Sequence, residues 1–172
     1  MNNNIAHIQN KICTSKNLLD KSRELRKENG KLCFTNGCFD VLHLGHVMYL
    51  AEAASLADCL IVGVNSDRSV KSLDKSPNRP INNEHSRAFL IATMEFVDLV
   101  VVFDEDTPES IIKDLMPDIL VKGGDYDPEE SDNTNPKYIV GRNHILNNGG
   151  KVQTINLVEG YSTTEILKKL NS

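Results

Sequence analysis

A chain of 172 residues, 40% hydrophobic and 25% charged, has the composition of a single globular domain with a sizeable core. Its formal charge of −5 argues against general nucleic-acid binding, which needs a basic surface, so any polyanion must meet positive charge that is local. No apolar run approaches the ~20 residues that span a bilayer and MNNNIAHIQNK lacks a signal-peptide core, so a cytoplasmic protein without a membrane partner is expected.

In chain order, residues 1–13 are asparagine-rich and weakly periodic, and are expected to form a loosely docked lead. Leu18, Leu19, Ser22, Leu25 and Arg26 predict a helix over 15–28, stopped by Asn29-Gly30, that serves packing or dimer support. Together these form an N-terminal unit, residues 1–29, ahead of a main domain over 30–172. Leu32 to Thr35 reads as a buried strand, and Val47, Leu50, Ala51 and Ala54 predict a helix that begins just after His46 and runs to about Leu56. A second buried strand follows over 59–64. Asn65, Ser66 and Asp67 are ordinary turn formers. The polar loop 68–83 carries Lys71, Lys75 and Arg79, charges that a loop usually leaves solvated.

A helix over 84–96 carries Arg87 in its first turn, where a cation opposes the macrodipole and so lacks an obvious stabilising role. The strand 99–103 precedes a helix started by Thr107, Pro108 and Glu109. Another strand over 119–122 ends in Gly123-Gly124-Asp125-Tyr126, either a tight turn or a place of close backbone approach. A loop over 127–135, a helix over 136–147 and a last strand over 152–157 follow. Ser162 and Glu165 have the spacing of a capping box before a helix containing Ile166, Leu167 and Leu170, which leaves Thr163 and Thr164 unexplained. The alternation implies an α/β fold: a Rossmann-like parallel sheet of about five strands with helices on both faces, binding ligand at the strands' carboxyl ends. The four cysteines, at 13, 33, 38 and 59, form no C-x-x-C pair and read as free thiols.

The chemistry is expected in residues 31–49, KLCFTNGCFDVLHLGHVMY, where a strand meets a helix through G-x-F-D-x-x-H-x-G-H. His43 and His46 are three apart at a helix start, sharing a face near backbone N–H groups without intrahelical partners, which suits a polyphosphate. Gly45 between them removes a side chain and admits a bulky anion. Zinc is the rival reading of Cys38, His43 and His46, but a second short ligand set is missing from the sequence.

This pattern resembles the H-x-G-H signature of the nucleotidyltransferase superfamily. With TNGCFDVLHLGH, RPIN, VKGGDY and EGYSTTEI in that order, it resembles more narrowly the D-glycero-D-manno-heptose 1-phosphate adenylyltransferases, whose domain is often fused behind a sugar kinase. The resemblance implies an enzyme with ATP and a sugar 1-phosphate as substrates, Mg²⁺ bound mainly through the ATP phosphates, a homodimer, and a kinase supplied by another protein. It implies catalytic roles for His43, His46, Lys71 and Arg87. It also implies that Thr35, Asn36, Gly37, Phe39, Asp40 and Gly45 line the nucleotide site, with Asn65, Asp67 and Arg79 beside it. Lys122, Gly124 and Asp125 would flank the base and ribose, and Tyr161, Ser162, Thr163 and Thr164 would close on the triphosphate. The chain departs from many relatives at Leu167, where they carry a basic residue, leaving Lys168 as the substitute. Two other classes share these motifs: a glycerol 3-phosphate or similar cytidylyltransferase, and a non-catalytic nucleotide sensor.

Overall fold

The computed structural model describes residues 3–73 and 78–170, with the side chains of Asn29 and Leu170 left aside; Lys75 of the polar loop lies outside the described residues. The elements run α1 (Asn3–Lys11), β1 (Ile12–Cys13), α2 (Ser15–Asn29), β2 (Leu32–Gly37), α3 (Leu44–Ala54), β3 (Cys59–Asn65), α4 (Asp67–Ser72) and α5 (Glu84–Ala92). They continue with β4 (Leu99–Phe103), α6 (Glu109–Leu115), β5 (Ile119–Gly123), α7 (Arg142–Asn147), β6 (Lys151–Ile155) and α8 (Thr163–Leu170). Among the described residues six strands form one sheet, every pairing parallel, in the order β1-β4-β3-β2-β5-β6.

Period-two alternation sorts the strands onto two cores. Cys33, Leu60, Val62, Val100 and Val121 point to the face covered by α3 and α5, where Leu50, Ala53, Ala88 and Ile91 meet them. Phe34, Ile61, Val101 and Leu120 point the other way, toward Leu18 of α2 and Ile111, Ile112 and Leu115 of α6. Burial on both faces explains why β3 reads CLIVGVN, nearly continuous apolar sequence. The order runs outward from β2 through β3 to β4, then restarts on the opposite side of β2 with β5 and β6. That reversal separates the loops after β2 and β5 and opens a crevice at their carboxyl ends.

Several boundaries differ from the sequence reading. The lead is not loosely docked: it forms α1, and Ile12 and Cys13 pair with Val100 and Val101 as a sheet edge. Two residues are too short to show a period. Residues 67–72 form a short helix rather than a turn and loop, because Ser66 caps it, its Oγ accepting from the Ser69 N–H at 3.0 Å. Helix α3 starts at Leu44, ahead of His46, with His43 in the extended N-cap position. Helices α5 and α7, expected over 84–96 and 136–147, are shorter, while Asp118 N–H and Lys151 N–H lock the strand starts to Leu32 O and Asp118 O.

Candidate active site

The segment between β2 and α3 makes a sharp reversal in which Phe39 and Val41 adopt φ of 49° and 56°. Left-handed backbone is costly for such side chains, about 1–3 kcal/mol each, and a β-branched residue is least tolerant. The neighbouring contacts offset that cost. Phe39 is buried, and Asp40, whose side chain is fully buried, accepts hydrogen bonds from Arg79 Nε at 3.1 Å, Ile81 N–H at 2.9 Å and Asn82 N–H at 2.9 Å. Burial alone would raise its pKa, but the N–H donors of Asn82 and Ile81 and the Arg79 guanidinium outweigh it and hold the carboxyl below the usual carboxylate range. The Asp40 carbonyl also accepts from Thr163 Oγ1 at 2.7 Å. Asp40 therefore fastens the motif loop to the 79–82 segment and to the start of α8.

His43 and His46 stack with ring centroids 3.8 Å apart and planes 22° apart, and Phe39 meets the His46 ring edge-on at 5.4 Å. Both Nδ1 atoms are buried without a hydrogen-bond partner. Burial lowers the His43 pKa; His46 is pushed down to about 4 by burial, then by the neighbouring His43 and Arg79, against a small opposing pull from Asp40. Both rings are thus neutral near pH 7, each with one N–H to donate. The role of Gly45 is more specific than leaving room for an anion. A Cβ there would lie 3.0 Å from His43 Cε1 and Nδ1 and 3.3 Å from Tyr161 Cβ, so the glycine is what lets the His43 ring fold back onto His46.

These rings line a cleft of ≈ 620 Å³, together with Asn36, Gly37, Phe39, Asp40, Gly45 and Arg79. Lys122, Asp125, Tyr161, Ser162, Thr163 and Thr164 line its other walls. Sequence reasoning overlooked Cys38, Tyr49, Leu157 and Val158, which also line it together with Gly123 and Tyr126 of the GGDY turn. Cys38 and Tyr126 lay inside motifs already singled out, whereas Leu157 and Val158 carried only the signal of an apolar strand end. Ser162 Oγ accepts from the Glu165 N–H at 3.1 Å, and Glu165 pairs with Lys168 at 3.1 Å. The start of α8 thus lines the cleft, with Tyr161 beside Gly45 of α3. Among the described residues two cations and two carboxylates line it, so a polyanion there would be met chiefly by neutral imidazoles and two helix starts.

Several expected site residues lie elsewhere. Arg87 is fully buried: Nε donates to Asn82 O at 2.9 Å, Nη1 to Cys38 O at 2.7 Å and Nη2 to Asp67 Oδ1 at 2.7 Å. It does not line the cleft, and the first-turn cation is explained by these three bonds, which tie the start of α4, the motif loop and the 79–83 segment together. Asp67 is engaged in the same knot. Lys71 is exposed on α4 and lines neither this cleft nor the cavity described next. Thr35 is buried with its hydroxyl 2.6 Å from Tyr49 OH, behind the cleft wall. Gly124 packs against Asn156 at the end of β6, and it is Gly123 that lines the cleft. Lys168 is not among the described residues that line the cleft.

Asn65 lines a second cavity of ≈ 420 Å³ on the other side of the β2 and β5 ends. Asn36, Gly37, Cys38, Lys122 and Tyr126 form the partition, since they line both spaces. Among the described residues, no three His, Cys, Asp or Glu side chains gather as a cation site, and the Asp40 carboxylate is engaged by its three donors.

Comparison with known proteins gives a consistent picture. Residues 34–169 match the family described as cytidylyltransferase-like. The bifunctional protein HldE of Syntrophotalea carbinolica is 49% identical over 148 residues, covering 86% of this chain. The chain spans 28% of that relative's length. A crystal structure of the lipopolysaccharide core biosynthesis protein from Thermoplasma volcanium superposes with a TM-score of 0.57 at 29% identity, covering 77% of this chain and 98% of that one. The pantoate-beta-alanine ligase of Francisella tularensis, at 13% identity and a TM-score of 0.58 over 93% of this chain and 76% of its own, shares the fold.

Proposed function

The chain belongs to the cytidylyltransferase-like family, and from that premise we propose that it transfers AMP from ATP to D-glycero-D-manno-heptose 1-phosphate, releasing pyrophosphate and forming an ADP-heptose for surface glycans. The observation that carries the reading is the stacked His43–His46 pair, neutral and with orphaned Nδ1 atoms, in a cleft that the Ser162–Thr164 helix start also lines. The heptose rests on the TNGCFDVLHLGH, RPIN, VKGGDY and EGYSTTEI blocks and on the similarity to HldE.

A phosphomonoester is already ionised near neutral pH, so its oxygen needs little general-base help to attack the α-phosphorus. The protein's task is to align the reactants and absorb charge. His43 and His46 donate to the α- and β-phosphates, and those bonds strengthen as charge grows on the leaving pyrophosphate. Arg79 and the α8 start hold the outer phosphates. Mg²⁺ would come with the triphosphate and would supply charge neutralisation there; among the described residues no cluster of His, Cys, Asp or Glu is set to hold it. The second cavity takes the acceptor's sugar, whose phosphate passes the residues shared by the two spaces to meet the nucleotide's α-phosphorus.

The test is pyrophosphate release with Mg²⁺, pairing ATP or CTP with heptose 1-phosphate or glycerol 3-phosphate. Release only from ATP with the heptose phosphate supports the reading. Release from CTP with glycerol phosphate keeps nucleotidyl transfer and overturns both substrates. Nucleotide binding without release from any pair would make the chain a sensor.

A further inference from the structure

The partition between the two cavities carries one charged side chain, Lys122. It is 8% exposed, its Nζ lies 2.6 Å from Asn36 Oδ1 and 5.3 Å from the centre of the Tyr126 ring, so its stem is fixed and its ammonium sits on the boundary. The wall beyond mixes the apolar Leu73, Pro136 and Val140 with Asn133 and Tyr138, polar groups that pair with a polyol, while Thr134 already donates to Asp132 and the Asn135 amide is held by Glu130 and the Lys137 N–H. Among the described residues lining that cavity, Lys122 is the one cation, and the one carboxylate, Asp106, is 3.3 Å from Arg68. A phosphorylated polyol placed there has a single direction in which its charge is answered: toward Lys122, and so toward the nucleotide.

We propose that Lys122 is the specificity-determining residue for the acceptor: it selects a phosphorylated sugar and seats that phosphate in line with the nucleotide's α-phosphorus. This assigns Lys122 and its holder Asn36 to the acceptor rather than to the base and ribose, and it rests on the nucleotidyl-transfer reading above. In the step itself an acceptor phosphate oxygen forms a bond to the α-phosphorus while the bond from that phosphorus to the α,β-bridging oxygen breaks. Pyrophosphate leaves with the electron pair and no proton need move. Lys122 holds the attacking group without joining the reaction. A fixed ammonium also gives the site its sign, since a cationic acceptor would be repelled from the same position.

Two variants separate this role from a structural one. Lys122→Met keeps the stem and removes the charge; Asn36→Asp keeps the ammonium in place and neutralises it with a carboxylate at the 2.6 Å contact. With heptose 1-phosphate as the probe, each is expected to raise the acceptor KM ~10–100-fold, the scale of one charge-assisted contact. The ATP Kd, measured calorimetrically without acceptor, is expected to rise clearly less than the acceptor KM, because Lys122 and Asn36 also line the nucleotide cleft while the histidines and the helix starts are untouched. An unchanged acceptor KM in Asn36→Asp with normal melting overturns the inference, as does an ATP Kd that moves as far as the acceptor KM in either variant. Wild-type protein that binds ATP yet releases no pyrophosphate with any sugar phosphate overturns the underlying reading and this inference with it.

Discussion

Replacing Gly45 by alanine separates activity from stability within one methyl group. The glycine is the second residue of α3, where alanine is the better helix former by about 1 kcal/mol. Against that gain, the new Cβ would stand 3.0 Å from two atoms of the His43 ring and 3.3 Å from Tyr161 Cβ, closer than such contacts normally sit, so the ring must give by a few tenths of an ångström. Overpacking of this kind costs about 1–3 kcal/mol, which leaves a net loss of roughly 0–2 kcal/mol and a folded protein. Activity has no such compensation. The His43 ring stacks on His46 at 3.8 Å and folds into the space that Gly45 leaves, and a small misplacement of a positioned donor costs up to about 10²-fold in rate. Pyrophosphate release and a urea melt on the same preparation provide the assay. The expected result is turnover reduced about 10- to 100-fold with a midpoint close to wild type. Full turnover in Gly45→Ala would refute the claim that the stacked geometry of the two imidazoles is what the glycine protects.

Three further outcomes are expected. His46→Ala should lower kcat by about 10²–10³, the usual effect of removing one transition-state donor, and near-normal kcat in a folded variant would reject that role. The His46 pKa is pushed down to about 4 from an ordinary 6.5, so its contribution to stability is complete above 6.5 and lost as pH falls toward 4. Urea titrations at pH 7.5 and pH 4.5 should show wild type losing about 2 kcal/mol more than His46→Asn; equal losses would mean the ring is not desolvated. Asp40→Asn turns an acceptor toward two N–H groups and Arg79 into a half-donor, and should destabilise by about 2–4 kcal/mol with loss of activity; a wild-type melting curve would contradict the clasp drawn at Asp40.

The α/β class, its central strands and the histidine pair were legible in the sequence because each rests on local signals: β-branched runs, helical spacing, and glycines beside turns. Less legible was anything that depends on long-range pairing. Ile12 and Cys13 become a strand only because β4 presents a free edge, and a two-residue strand has no period to detect. Arg87 was correctly flagged as unexplained by its helix, but a position in a helix cannot show that Asp67, Asn82 and Cys38 converge on it from three other segments. Thr35 and Thr163 illustrate the same limit, since their hydroxyls look available in the sequence and are bonded to Tyr49 OH and Asp40 O in the fold. Tyr126 and Lys122 were visible as part of VKGGDY, but the partition they form between two cavities exists only once β5 is set beside β2 at the switch point.

The most direct measurement of the central claim follows the phosphorus atoms. The protein is incubated with Mg²⁺, heptose 1-phosphate and ATP labelled in separate reactions at the α- or the γ-phosphate, and the label is traced to products. Direct nucleotidyl transfer places the α-label in the sugar nucleotide and the γ-label in an equal amount of pyrophosphate. A γ-label on the sugar, or γ-label released as inorganic phosphate with the α-label left in ADP, would contradict the account.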